Sequence, residues 1–266
     1  MSALRSWIRR AGPLVVVAGL VFLSTAWAEA DPPAPTSEPE AEPAPAPRGF
    51  ALERTIARRH DGETYRLFRW RVPLADVHIG IEDVQMRRSF RALLHGADLV
   101  INGGFYDPQR RAEGLVVVDS EERVPFDERI GGGVLAVSNG VATLHDAEAP
   151  LALPTSLDFA IQCRPRLVVD SQNNIARGTP PTAARTALCI RDAGRTLDVI
   201  VARRFPSRGR AGPRLYDLAA LLVADGCEQA LNLDGGPSTG VAWRDGDRFR
   251  QMRPERGVRH AITFSR

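Results

Sequence analysis

The chain has no lysine. All 35 of its basic residues are arginine, set against 32 acidic residues for a formal net charge of +3. The excess lies in scattered patches, with no continuous basic stripe interleaved with aromatics, so a nucleic-acid partner is not expected. Cysteine is also scarce: Cys163, Cys189 and Cys227 are the only three, and no pair has metal-ligand spacing. In an exported protein one pair can oxidise and leave one thiol. The sequence does not choose the pair, and buried free cysteines fit it at least as well. No cluster of His, Asp and Glu has firm metal spacing, so neither a metal nor a cofactor is expected. There is no internal repeat and no regular βαβ alternation, which argues against solenoids and parallel α/β sheets.

A long apolar run occurs once, at the N-terminus. Arg5, Arg9 and Arg10 precede "PLVVVAGLVFLSTA", and "AWA" at Ala26–Ala28 has the small-x-small form of a signal peptidase site. The run is short for a membrane span of roughly 20 residues. It predicts a signal peptide over residues 1–28, a secreted or periplasmic location, and no stable membrane span after its removal. Residues 29–48 contain "DPPAPTSEPEAEPAPAPRG", rich in Pro, Ala and Glu with almost nothing to bury, and predict a disordered, extended linker. Residues 49–266 are one domain's worth of chain.

Within that domain, strand patterns dominate. "YRLFRWRVPLADVHIGIED" alternates over two segments, and "GLVVVDSEERV" and "GGGVLAVSNGVATLHD" read as strand–turn–strand pairs, the second marked by Asn139-Gly140. "ARTALCIRDAGRTLDVIVARR" repeats the pattern with "DAGR" as its turn. "SFRALLHGA" has helical spacing. The clearest helix is "LYDLAALLVADG", with Leu215, Leu218, Ala219, Leu222 and Val223 on one face and Gly226 as its stop. "QALNLD" and the closing "RHAITF" are strands. The pattern predicts an α+β domain with large mixed or antiparallel sheets and few helices.

Two segments share a construction. "VINGGFYD" and "LNLDGGPST" each run a buried strand into a polar residue, Asn102 or Asp234, and then a glycine pair. Paired glycines permit positive φ and close approach of the backbone to a ligand, and successive N–H groups there line an anion-binding concavity. The competing expectation is two tight turns whose Asn and Asp cap local N–H groups. Asp107, before Pro108, reads as a turn residue, and His260, at the start of the last strand, is the one histidine worth testing.

"INGGFYDP", "EGLVVVDS", "AIQCRPRLVVD", "ARTALCI" and "LNLDGGPSTG" resemble, in that order, the conserved blocks of the phosphodiester glycosidase family. Cys163-Arg164 and Ser120 depart from the small residues and glycine common there. The resemblance implies a hydrolase of the glycosidic bond in sugar-1-phosphodiesters on envelope or extracellular glycans. Carried over, it points to Asp234 as the catalytic carboxylate. It also points to Asn102, Gly103, Gly104, Phe105, Arg185, Gly235, Gly236, Ser238 and Thr239 as substrate-binding residues. Glu113 is the candidate second acid, from its place before "GLVVVD". A guanidinium suits the phosphate through its bidentate fork, and a carboxylate suits an oxocarbenium-like centre. Two other functions fit the same loops: a non-catalytic binder of glycan or phosphoglycan, and, more weakly, a phosphoesterase cutting the P–O bond.

Overall fold

Alternating and continuous apolar runs both become strands. The computed structural model describes residues 49–58, 64–148, 151–178, 182–204 and 211–266. The expected signal peptide and linker lie outside the described residues. In chain order the first strands are β1 (Leu52–Arg58), β2 (Thr64–Pro73), β3 (His78–Asp83) and β4 (Leu99–Asn102). Hairpins follow from β5 (Val116–Val118) to β6 (Glu121–Val124) and from β7 (Gly133–Ser138) to β8 (Val141–Asp146). Next come β9 (Phe159–Cys163), β10 (Arg166–Val169) and β11 (Gln172–Asn173). A long hairpin of β12 (Arg185–Arg191) and β13 (Thr196–Arg204) leads to helix α1 (Leu215–Ala224) and β14 (Gln229–Asn232). β15 (Val241–Asp245), β16 (Arg248–Met252) and β17 (His260–Ser265) close the chain.

The strands form a seven-stranded sheet, β1-β2-β13-β12-β14-β10-β11, and two five-stranded sheets, β16-β15-β4-β17-β3 and β6-β5-β9-β7-β8. Every strand pairing among the described residues is antiparallel, so the parallel component allowed by "mixed" is not seen. α1 is the one α-helix among the described residues. The domain is therefore largely β, and α+β describes it only roughly. "SFRALLHGA" forms only a 3-10 turn over Arg91–His95. Phe90 at its N-cap offers no side-chain acceptor, and Gly96 follows at once, so a nucleus this short has little to propagate it.

The central strands of all three sheets are buried on both faces. Their inner faces meet in one core, with Trp70, Leu188 and Val199 from the first sheet, Leu99, Ile101 and Phe264 from the second, and Val116, Leu135 and Phe159 from the third. The outer face of the seven-stranded sheet packs Ala187, Ile200 and Ala230 under Leu218, Ala219 and Leu222 of α1. Phe90 and Leu94 cover Val100, Ala242 and Ala261 on the second sheet. Burial on both sides is why strands such as β4 and β5 read as unbroken apolar runs.

Turn chemistry sets the registers. Asn139-Gly140 joins Ser138 to Val141 with φ of 49° and 71°, a two-residue loop with both centres left-handed. The dipeptide Asp-Ser does the same twice, at Asp119-Ser120 and Asp170-Ser171. The disulfide pairs Cys189 of β12 with Cys227, just before β14, at a Cα–Cα distance of 5.9 Å. It closes a 38-residue separation, which in the chain-entropy account contributes about 4 kcal/mol. Cys163 is left as a buried thiol. No helix among the described residues is long and apolar enough to cross a membrane.

Candidate functional site

Strand ends from two sheets meet where the two glycine pairs lie. β4 ends at Asn102 in the second sheet, and β14 ends at Asn232 in the first, beside the start of β12. Asn102 joins them. Its Nδ2 donates to the carbonyl of Asp234 at 2.8 Å and to that of Gly103 at 3.2 Å. Its Oδ1 accepts from the Thr186 hydroxyl at 2.7 Å and from the Gly240 N–H at 3.1 Å. Two donors and two lone pairs are all that an amide side chain has. Asn102 is fully buried and fully engaged by the protein, so it positions the Asp234 segment.

Gly103 continues the seam. Its N–H donates to the His260 carbonyl at 3.0 Å, and its carbonyl accepts from the Asp234 N–H at 3.3 Å. A Cβ here would lie 2.2 Å from Nδ1 of His260, so no larger residue fits without a shift. Gly104 faces only ordinary contacts, with the Cys163 sulfur at 3.5 Å from an ideal Cβ.

Asp234 stands just past β14 on the wall of a cleft of ≈ 370 Å³, lined also by Phe105, Arg164, Arg185, Asn232 and the Gly235-Gly236 pair. Among the described residues it is the only carboxylate on that wall. Its Oδ1 accepts the Gly235 N–H at 2.7 Å. Burial pushes its pKa above the usual carboxylate value, against the hydrogen bonds of the Ser238 hydroxyl and Gly235 N–H and the charge of Arg256. The group is thus a carboxylate with enhanced basicity, held in place by its own loop.

Arg185 lies buried on the same wall, with Nε donating to the Pro213 carbonyl at 3.4 Å. Burial lowers its pKa from a very high starting value, so it remains a cation. Arg164 is a second cation on the cleft, stacked over the Phe105 ring with its guanidinium carbon 5.7 Å from the centroid. In the sequence Arg164 stands out only as a departure from the family pattern, and that departure is the available signal. Asn232 was missed too. Its signal was a polar residue inside an apolar strand, two positions before Asp234.

Three of the four glycine N–H groups expected to bind an anion take other partners. Those of Gly103, Gly235 and Gly236 bond to the His260 carbonyl, Asp234 Oδ1 and the Ala184 carbonyl respectively. Left-handed Gly236, at φ +58°, serves a turn. Positive charge on the cleft wall comes instead from the arginines. Ser238 is buried against Asp234, and Thr239 is buried, its hydroxyl without a hydrogen-bond partner among the described residues. Neither Thr239 nor Glu113 lines the cleft. The Glu113 N–H donates to the Phe105 carbonyl at 3.0 Å, and its charge acts on Arg129 after the larger effects of Asp127. Asp107 makes the turn expected of it, accepting from the Arg111 backbone at 2.8 Å and side chain at 2.7 Å.

Behind Gly103, His260 is 5% exposed, and neither ring nitrogen has a partner among the described residues. Burial first, and the charge of Arg259 second, push its pKa down to about 4, leaving it neutral. It borders a separate crevice of ≈ 330 Å³ with Asp83 and Arg259. Cys163 lies under the same seam. Burial, with a smaller effect of the Asp234 charge, pushes its thiol up to about 12. Among the described residues no group of three or more His, Cys, Asp or Glu is placed to hold a metal ion.

Residues 95–265 match the family described as phosphodiester glycosidase, which is more than half of the chain. Two solved structures share the fold. One is a hypothetical protein from Synechocystis, at a TM-score of 0.63 and 15% identity, covering 81% of this chain and 62% of that one. This chain therefore corresponds to less than two thirds of that protein. The other is the zebrafish N-acetylglucosamine-1-phosphodiester alpha-N-acetylglucosaminidase catalytic domain, auto-inhibited by its pro-peptide, at a TM-score of 0.64 and 13% identity over 85% of each chain. At such identities the likeness is one of fold alone. No curated protein matches the chain by sequence.

Proposed function

The chain belongs to the phosphodiester glycosidase family, and from that premise we propose that it is an exported hydrolase of the sugar–phosphate bond in sugar-1-phosphodiesters, acting on envelope or extracellular glycans. One observation carries this reading: a single basic-shifted carboxylate, Asp234, shares a cleft with two arginines. A phosphodiester carries one negative charge, and Arg185 and Arg164 supply the cations to hold it. The zebrafish neighbour's name states the same bond type.

The chemistry asks little more of the site. Water adds to the anomeric carbon, the carbon–oxygen bond breaks, and its electron pair leaves with the phosphate. The departing phosphomonoester has a second pKa of about 6, so it leaves without a strong general acid. This is why a cleft with no second carboxyl among its described lining residues suffices. Asp234 acts on the anomeric carbon, by direct attack or by taking the proton of the attacking water. Burial strengthens it for both tasks.

The test is turnover of a panel of sugar-1-phosphodiesters in oxygen-18 water. Label entering the sugar is expected. Label entering the phosphate overturns the assignment in favour of P–O cleavage. Binding without turnover across the panel leaves a glycan-binding domain in its place.

A further inference from the structure

The two arginines of the cleft come from opposite sides of the segment that carries Asp234. Three stretches of chain run side by side there, in the sheet order β12-β14-β10. Arg185 opens β12, and the carbonyls on either side of it, of Thr186 and Ala184, accept from the Leu233 and Gly236 N–H groups at 2.9 and 2.7 Å. On the other side, the Pro165 carbonyl accepts from the Asn232 N–H at 3.0 Å and the Arg164 carbonyl from Asn232 Nδ2 at 2.9 Å. Residues 232–236 thus have Arg185 on one flank and Arg164 on the other. Two strand spacings separate those flanks by about 10 Å.

Each side chain is also anchored to a different part of the protein. Arg185 is buried, with Nε on the Pro213 carbonyl just before α1. Arg164 is exposed, yet it is held in place. Its guanidinium stacks on Phe105, from the segment after β4, and Nη1 donates to the Ile130 carbonyl at 3.4 Å. Its Cβ occupies space that Gly132 leaves open, since an ideal Cβ on that glycine would lie 2.6 Å away. No carboxylate pairs with Arg164 among the described residues, whereas Arg166, two positions on, pairs with Asp146.

Charge counting turns this arrangement into a specificity. A phosphodiester has one negative charge, and Asp234 faces the positive charge that develops at the anomeric centre. Two arginines therefore leave one cation in surplus. The buried one, Arg185, suits the phosphate, and the surplus falls on Arg164, fixed on the far flank and open to solvent. We propose that Arg164 is a specificity-determining residue that selects substrates carrying a second anionic group beyond the phosphodiester to be cleaved. The inference rests on the reading of the cleft given above. A carboxylate on the sugar and one on the alcohol esterified to the phosphate offer the same chemistry, and the experiment separates them.

Calorimetric affinities at neutral pH test it without requiring turnover. The probes are the methyl phosphodiester of glucose-1-phosphate, the methyl phosphodiester of glucuronic acid-1-phosphate, and the phosphodiester of glucose-1-phosphate with glycolic acid. The wild-type protein is expected to bind at least one of the two carboxylate-bearing diesters about fivefold more tightly than the plain one at low salt, the upper range for a solvated ion pair. That preference should shrink as salt is raised. The probe that gains identifies the end of the substrate that carries the charge. In Arg164→Gln the preference should fall to within about twofold. A wild-type protein that prefers neither carboxylate overturns the proposal. So does an unchanged preference in a folded Arg164→Gln protein, including one that binds all three diesters equally more weakly, because Arg164 would then serve the diester alone. If that variant fails to fold, the wild-type affinities and their salt dependence decide alone. Selective binding without hydrolysis sinks the hydrolase reading and leaves Arg164 standing; no binding of any diester sinks both.

Discussion

The segments "INGG" and "LDGG" look like copies in the sequence and do opposite jobs. Asn102 is sealed, with its amide tying the Asp234 carbonyl, the Thr186 hydroxyl and the Gly240 N–H into one knot. Asp234 stands on the cleft wall, and its side chain is bonded, among the described residues, within its own loop. The first segment holds the second. A shared pattern of strand, polar residue and glycine pair therefore reports a shared backbone problem, how to stop a buried strand next to another chain segment. It does not report shared chemistry.

The largest expected effect separates the two directly. Asp234→Asn should lower turnover of a sugar-1-phosphodiester about 10³-fold or more, equivalent to about 4 kcal/mol of transition-state stabilisation, with the thermal midpoint near wild type. Wild-type turnover in that variant would reduce the loop to scaffolding. Asn102→Ala should do the reverse. It strands a hydroxyl, an N–H and a carbonyl in buried surroundings, at about 1–3 kcal/mol each before relaxation. Denaturant unfolding should show a loss of about 4 kcal/mol; a loss below about 1 kcal/mol would break the picture of Asn102 as the tie.

Acid sensitivity comes next, through His260. Its folded pKa is about 4 against 6.5 ordinarily, so between those values the unfolded chain binds more protons than the folded one. Stability is therefore complete above pH 6.5 and declines as pH falls towards 4, by about 3 kcal/mol in all. His260→Phe should flatten most of this fall. His145, whose pKa burial also lowers, leaves a residual slope. Asp234 works the other way: its raised pKa makes the protonated acid fit the fold better, so its contribution fades as pH rises through that pKa. A wild-type unfolding free energy that is flat from pH 6.5 to 4 would contradict the buried, neutral state of His260.

The smallest difference lies inside one glycine pair. Gly103→Ala sets a methyl 2.2 Å from Nδ1 of His260, and should cost about 2 kcal/mol, relieved in part by His260→Ala in the same chain. Gly104→Ala meets the Cys163 sulfur at 3.5 Å and should stay within about 1 kcal/mol. Equal effects at the two positions would mean that the pair is needed for backbone conformation and not for clearance.

Periodicity and turn residues made the hairpins legible. Asn139-Gly140 and "DAGR" turn where expected, and α1 buries Leu218, Ala219 and Leu222 of its predicted face. "SFRALLHGA" failed because a short helical pattern without a cap does not hold four-residue hydrogen bonds. The first strand of the β15–β16 hairpin offers no alternation to read: Val241, Ala242 and Trp243 are buried in succession, and Arg244 and Asp245 follow on opposite faces. At the site, residue types were visible but hydrogen-bond saturation was not. Nothing in "INGG" says that Thr186, more than eighty positions later, supplies the fourth bond to Asn102. Arg164 and Asn232 reach the cleft because β9, β10 and β14 place them there, and sheet order is the information a single sequence carries least.

The lone thiol under this seam offers an intrinsic chronometer. Cys163 is sealed from solvent, its thiolate suppressed by a pKa of about 12, and it touches the segment that carries Gly104. The other two cysteines are tied to each other. An alkylating reagent thus has a single target, and it reacts only when the seam between the two sheets parts. The rate of mass gain in the native protein counts those openings directly, with no label added and no residue changed. A ligand that bridges Asp234 and the arginines should slow that clock.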